Sequence, residues 1–184
     1  MQILEREIKG VYEITLCPTK DTRGYFMRTY DAAIFGKYRI NRKWVQESHS
    51  RSVKKGIIRG LHFQLHRYTE TKLVRCVRGS IFDVFVDLRR DSSTFSKWGS
   101  LILSEENNKM IYIPQGFAHG FCTLTQISDV VYKMDSFYNK RTYGGIIWND
   151  RDLAIPWPVE HPLLSEKDSK LPSLESFVNK YGGI

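Results

Sequence analysis

A mainly β architecture, a sandwich or small barrel with two short peripheral helices, is what this sequence predicts. Three observations carry it. Over residues 81–88, Phe82, Val84, Val86 and Leu88 alternate with Ile81, Asp83, Phe85 and Asp87, the spacing that places every second side chain on one face of a strand. Other short apolar runs follow closely, broken by turn signals such as Asn107-Asn108 and Pro114-Gln115-Gly116. Helix-capping patterns occur at only two places.

Taken in order, residues 3–16 form a β-rich N-terminal segment. Asp31 can cap a helix over 32–38 by accepting from the free N–H groups of its first turn. The stretch from Gly56 to Gln64 reads as a strand carrying Arg59 and His62, followed by a loop and a second strand beginning at Lys72. Residues 73–77 and 81–88 flank the short turn Arg78-Gly79-Ser80, which predicts a hairpin. Further strands are expected over 101–103, 110–113, 120–124 and 130–134. Residues 144–150 and Pro156-Trp157-Pro158 read as an ordered surface excursion rather than a linker. Ser173 caps a helix over 174–180, and Gly182 stands beyond its end. With no internal repeat or low-complexity tract, the 184 residues are expected to form one domain, 1–184.

Composition narrows the partners. A net charge of +8 favours anionic ligands. The cations are scattered, however, with short pairs at Lys54-Lys55 and Arg89-Arg90, and no nucleic-acid-binding pattern appears. Neither nucleic acid nor a membrane is an expected partner, since no apolar stretch is long enough to span a bilayer. Cys17, Cys76 and Cys122 are widely spaced and lack a CxxC pair. They read as free thiols, the last two buried in strands, in a reducing cytoplasm.

The chemistry is suggested by His62, Lys72, Arg59, His119 and Tyr132. Removing a proton from carbon beside a carbonyl requires a base near neutral pKa, a stabiliser for the enolate oxygen and a donor for the opposite face. A histidine suits the first role, with a carboxylate to orient it. Asp83, Asp87 and Asp168 are all candidates for that carboxylate, and spacing does not choose among them. Lys72 or Arg59 suits the second role, and the phenol of Tyr132 the third. A metal site built from His62, His66, Glu70 and His119 is the competing arrangement. His62 and His66 lie four apart, whereas a strand puts ligands on one face at every second residue, so no metal is expected.

The runs Asp21-Thr22-Arg23-Gly24-Tyr25-Phe26, Arg59-Gly60-Leu61-His62-Phe63-Gln64 and Lys72-Leu73-Val74-Arg75 recur in one known family. So do Phe82 to Arg89, Ile113 to Phe121, Trp148-Asn149-Asp150, Trp157-Pro158 and Leu164-Ser165-Glu166-Lys167-Asp168. Together they closely resemble the dTDP-4-dehydrorhamnose 3,5-epimerases, nearly end to end. The resemblance implies a cupin-type double-stranded β-helix, or jelly roll, and a cofactor-independent isomerase acting on a nucleotide-diphosphate sugar. It implies His62 as proton acceptor with Asp168 as its partner, Lys72 as stabiliser of the enolate and Tyr132 as proton donor. Arg23 and Arg59 would hold the diphosphate, and Gln46, His119 and Lys167 would line the substrate site. Phe26, Arg28, Ser48 and Tyr143 fall at substrate-binding positions, and Tyr138 matches the aromatic that stacks on the base. Gln64 stands where metal-binding cupins carry a second histidine. The family forms homodimers in which an N-terminal segment, here 3–16, joins the partner's sheet.

Three positions depart from the family pattern. Arg28 replaces a glutamate, Gln46-Glu47-Ser48 replaces Gln-Asp-Asn, and Tyr143 replaces a glutamate. They belong to nucleotide and sugar recognition, so dTDP, GDP and CDP all stay open as carriers. The expected reaction is epimerisation at C3 and C5 of a 4-keto-6-deoxy sugar. The alternative is a single-centre C3 or C5 epimerase acting on a GDP- or CDP-linked sugar. A non-catalytic sugar-nucleotide-binding cupin would require loss of His62, Asp168 or Tyr132, and all three are present.

Overall fold

The computed structural model describes residues 1–184. Strands β1 (Gln2–Glu5), β2 (Tyr12–Thr15), β3 (Thr19–Asp21) and β4 (Gly24–Phe26) precede helix α1 (Ala32–Lys37). There follow β5 (Gln46–Ser52), β6 (Ile58–Gln64), β7 (Lys72–Arg78), β8 (Ser80–Asp87), β9 (Trp98–Ser104), β10 (Lys109–Ile113), β11 (Phe117–Thr123) and β12 (Ser128–Met134). The chain ends with β13 (Tyr143–Gly145), a 3-10 turn at Asp168–Lys170 and helix α2 (Leu174–Tyr181). Both caps form as the sequence indicates. Asp31 accepts from the N–H groups of Ala33 and Ile34, Ser173 accepts from that of Ser176, and Gly182 closes α2 in the left-handed conformation.

Two antiparallel sheets stack in the cupin-type jelly roll. The first has the order β1-β2-β10-β7-β12-β5 and the second β13-β6-β11-β8-β9, while β3 and β4 form a separate hairpin. Val74, Cys76, Ile111, Ile113 and Val130 from the first sheet meet Ile81, Phe85, Leu103, Phe117 and Phe121 from the second in one buried cluster. Cys76 and Cys122 are both buried free thiols, and burial raises them to about 12 and about 11. No helix is long and apolar enough to cross a membrane.

Two expectations are corrected. Residues 73–77 and 81–88 are not a hairpin, because β7 and β8 belong to different sheets. The turn between them is held from outside: the Gly79 N–H donates to Glu105, and the Ser80 N–H to Thr125. A Cβ on Gly79 would lie 2.2 Å from the Ile127 carbonyl oxygen, so this corner is built on close approach to a neighbouring loop. β8 also has no solvent face. Val84 and Val86 pack on Leu153, Ile155, Trp157 and Phe177, while Ile81 and Phe85 face the inter-sheet core. The segment expected to be a surface excursion therefore supplies the second sheet's outer cover, with Ile146, Leu153, Ile155 and Trp157 all buried. The N-terminal segment pairs within its own chain: β2 lies between β1 and β10 and covers the β10 edge. β1 stands at the edge of this sheet, with no strand of the same chain on its outer side.

Candidate active site

The site lies on the inner faces of the two sheets, and one irregularity puts it there. In a regular strand, residues 59 and 62 would point to opposite faces. Along β6 and β11, His119 pairs with His62 but Phe121 pairs with Arg59, so β6 carries one extra residue between these pairs. This bulge turns Arg59 and His62 into the same cavity. It requires two glycines. A Cβ on Gly60 would stand 2.6 Å from the Gly120 Cα, and one on Gly120 would stand 2.8 Å from the Arg59 carbonyl oxygen.

The cavity has a volume of about 390 Å³ and gathers most of the expected residues. β6 supplies Arg59 and His62, β7 Lys72, β11 His119, β12 Tyr132 and β5 Gln46 and Ser48. Tyr138, Tyr143, Lys167 and Asp168 come from the C-terminal third.

His62 Nε2 and Asp168 Oδ1 are 2.6 Å apart, across 106 residues of sequence. The approach is arranged by Leu163, which exchanges backbone hydrogen bonds with Gly56 and Ile58 at the start of β6. Ser165 then accepts from the Asp168 N–H and sets the turn. Burial pushes the His62 imidazole below its ordinary value, against the opposing pull of Asp168 and with help from the charges of Lys72 and Lys167. Burial would raise Asp168, but hydrogen bonds from His62, Ser165 and the Gly60 backbone, with the His62 charge, hold the carboxyl below the usual carboxylate range. The pair is thus a neutral imidazole beside a carboxylate at neutral pH. With Nε2–H donated to Asp168, Nδ1 carries the free lone pair. Asp83 and Asp87 are engaged elsewhere. Asp83 lies 2.8 Å from His119 Nε2, and Asp87 accepts from Arg89, Ser92 and Thr94.

The remaining walls are charged and aromatic. Lys72 Nζ lies 3.1 Å from Glu70 Oε1, both side chains largely buried. Lys167 Nζ stands 3.6 Å above the centre of the Tyr143 ring, an ammonium–π contact. Tyr143 also packs against His62 and, edge-on, against Tyr138. Burial first, then the Asp168 charge, raises the Tyr143 phenol far above its ordinary value. Two glutamines fix the loop bearing Tyr138. Gln46 accepts from the Tyr138 N–H at 2.6 Å, and Gln64 accepts from the Asn139 N–H at 2.7 Å while donating to the Phe137 carbonyl. Of the metal-capable set, His62, Glu70 and His119 line the cavity. His62, His119 and Glu70 each face a charged partner, and His66 is exposed outside the cavity.

Arg23, Phe26 and Arg28 do not line this cavity. Arg23 pairs with Asp21, Arg28 pairs with Asp31, and Phe26 is 70% exposed on the β3–β4 hairpin. Sequence reasoning missed Ser50, Phe121, Met134 and Ser165, and considered Glu70 only as a metal ligand. Ser50 continues the every-second-residue series of Gln46 and Ser48, a signal present in the sequence. Met134 stands in the same relation to Tyr132.

A cupin-type jelly roll enclosing a histidine–carboxylate pair, an ion-paired lysine and a tyrosine defines an acid–base enzyme of the sugar-isomerase kind. The family model for dTDP-4-dehydrorhamnose 3,5-epimerase matches residues 5–176. The dTDP-4-dehydrorhamnose 3,5-epimerase of Shigella flexneri is 46% identical over 170 residues, covering 91% of this chain and 93% of that protein. A crystal structure of the Bacillus anthracis enzyme with TDP and PPi bound superposes with a TM-score of 0.92 at 42% identity, covering 94% of this chain and 99% of that one. The Legionella pneumophila enzyme, in complex with dTDP-4-keto-L-rhamnose, gives a TM-score of 0.90 at 38% identity, with 95% and 93% covered. The chain belongs to the dTDP-4-dehydrorhamnose 3,5-epimerase family and is an isomerase.

Proposed function

We propose that this protein inverts C3 and C5 of dTDP-4-dehydro-6-deoxyglucose to give dTDP-4-dehydrorhamnose, with the whole chain acting as one catalytic domain. The observation that carries the reading is the 2.6 Å His62–Asp168 pair opening on the cavity that Lys72 and Tyr132 share. The C4 carbonyl acidifies the protons on both neighbouring carbons. His62 takes each in turn through its free nitrogen, and Asp168 stabilises the imidazolium. Lys72 holds the negative charge that develops on O4. Tyr132 returns a proton to the opposite face. Each step is a proton transfer that leaves the oxidation state unchanged, so this chain's own residues suffice.

Arg59 holds the diphosphate, Tyr138 stacks on the base, and Gln46, Ser48, His119, Tyr143 and Lys167 line the sugar's surroundings. Arg23, Phe26 and Arg28 reach a cavity only in a homodimer, where the β3–β4 hairpin serves the partner's site. The exposure of Tyr25 and Phe26 on that hairpin supports this arrangement. Three free cysteines fit a cytoplasmic setting.

The experiment is incubation with the dTDP-linked 4-keto sugar in D2O, followed by NMR. Deuterium at both C3 and C5, with the L-configured product, is expected. Deuterium at one centre, or no turnover beside turnover of a GDP- or CDP-linked analogue, would overturn the reading.

A further inference from the structure

Glu70 lies on the cavity wall without a part in the chemistry described above, and its surroundings are unusual. Two hydrogen-bond donors converge on its carboxylate. Lys72 Nζ lies 3.1 Å from Oε1, and Gln64 Nε2 lies 3.2 Å from Oε2. Gln64 cannot be turned around to become an acceptor there, because its Oε1 already accepts from the Asn139 N–H. The two Gln64 amide hydrogens also have the Tyr68 and Phe137 carbonyls in reach, at 3.0 and 3.1 Å, so the lysine is the donor that calls for a charged oxygen at residue 70. The Glu70 and Lys72 side chains are only 12% and 10% exposed. A buried ammonium without a counter-ion is strongly disfavoured.

We propose that Glu70 is a positioning residue for Lys72. It holds the ammonium in the corner of the cavity beside His62, leaving the other Nζ–H groups free for the substrate oxygen. Through Gln64 it also ties that lysine to the loop bearing Tyr138. Without the carboxylate, the lysine side chain leaves the corner for solvent or for a bound diphosphate, and the enolate loses its stabiliser while the nucleotide keeps its contacts. The inference rests on the proposed role of Lys72.

The test compares wild type, Glu70→Gln and Glu70→Asp in the D2O exchange assay, with dTDP binding followed by thermal shift. In Glu70→Gln, kcat for deuterium incorporation should fall at least tenfold, with KM and dTDP affinity within threefold of wild type. Glu70→Asp, which restores the charge on a side chain one carbon shorter, should recover a substantial part of that loss. A Glu70→Gln kcat within threefold of wild type would overturn the proposal. So would a loss that appears equally in dTDP binding, or one that Asp leaves unrelieved, because each marks a general structural role. Wild type inactive on the dTDP-linked sugar would instead count against the proposed function itself, which keeps the two failures distinct.

Discussion

Replacing Asp168 with asparagine tests the acid–base pair most directly. The carboxylate receives donors from three sides, namely His62, Ser165 and the Gly60 backbone. An amide has one acceptor oxygen for them, so either His62 or the other donors must face an NH2 group. If the NH2 faces His62, Nε2 must accept, the proton moves to Nδ1, and the nitrogen left free is no longer a base. If the oxygen faces His62, the imidazolium formed on proton abstraction loses its charged partner. Hydrogen bonds to charged groups contribute about 1.5–3 kcal/mol, or roughly 10- to 150-fold in rate. A forced tautomer costs more, about 10⁴ in kcat for the corresponding change in a serine-protease triad. The expected loss is therefore between about 10-fold and 10⁴-fold in kcat, measured by deuterium incorporation with dTDP binding retained. The pH profile supplies a second readout. His62 works in its neutral form, and burial places its pKa below the ordinary histidine value. Wild-type activity should thus fall to half only at a pH below the ordinary histidine value. Asp168 pulls His62 upward, so its removal should shift the acid limb to still lower pH on a much lower plateau. A plateau within tenfold of wild type, or a limb moved to higher pH, would refute the pairing as the source of basicity.

Tyr132→Phe should still form the enolate, incorporating solvent deuterium at C3 or C5 without full inversion. NMR of the product reads this, and wild-type inversion would move the donor role to another group. Gly60→Ala forces a Cβ to within 2.6 Å of the Gly120 Cα at a backbone φ of +121°, and should destabilise the fold by about 2–4 kcal/mol through strain and overpacking. A thermal midpoint lowered by roughly 5–15 °C is expected, and a change within about 2 °C would show that the two strands can part there at little cost. Sedimentation at micromolar concentration should show a dimer that survives Phe26→Ala poorly. An active monomer would refute the shared site.

Most strands of the two sheets were legible because their patterns are local, whereas the polar run of β5 was not read as a strand. Period-2 alternation found β8, short apolar runs between turn signals found β10 and β12, and two side-chain caps found both helices. What escaped detection depends on contacts far along the chain. The turn at Gly79 looks like a hairpin in sequence, since nothing within ten residues reveals that Glu105 and Thr125 hold it. Asp83 and Asp87 are polar residues of β8, yet both are fully buried, Asp83 held through Oδ2 by His119 and Asp87 by the loop that follows. Polarity in the sequence records what a side chain needs, and here the need is met by protein rather than by water. The active site shows the same limit more sharply. Residue types suggested proton abstraction, but a three-residue separation should have put Arg59 and His62 on opposite faces. The bulge opposite Gly120 reverses that parity, and its signal in the sequence is a glycine in each of two strands that pair across 60 residues. Spacing left Asp83, Asp87 and Asp168 equivalent for the same reason. The choice is made by Leu163, whose backbone pairs with the start of β6 and carries Asp168 to His62. Chemistry was readable from the residues, while its geometry is a property of strand pairing.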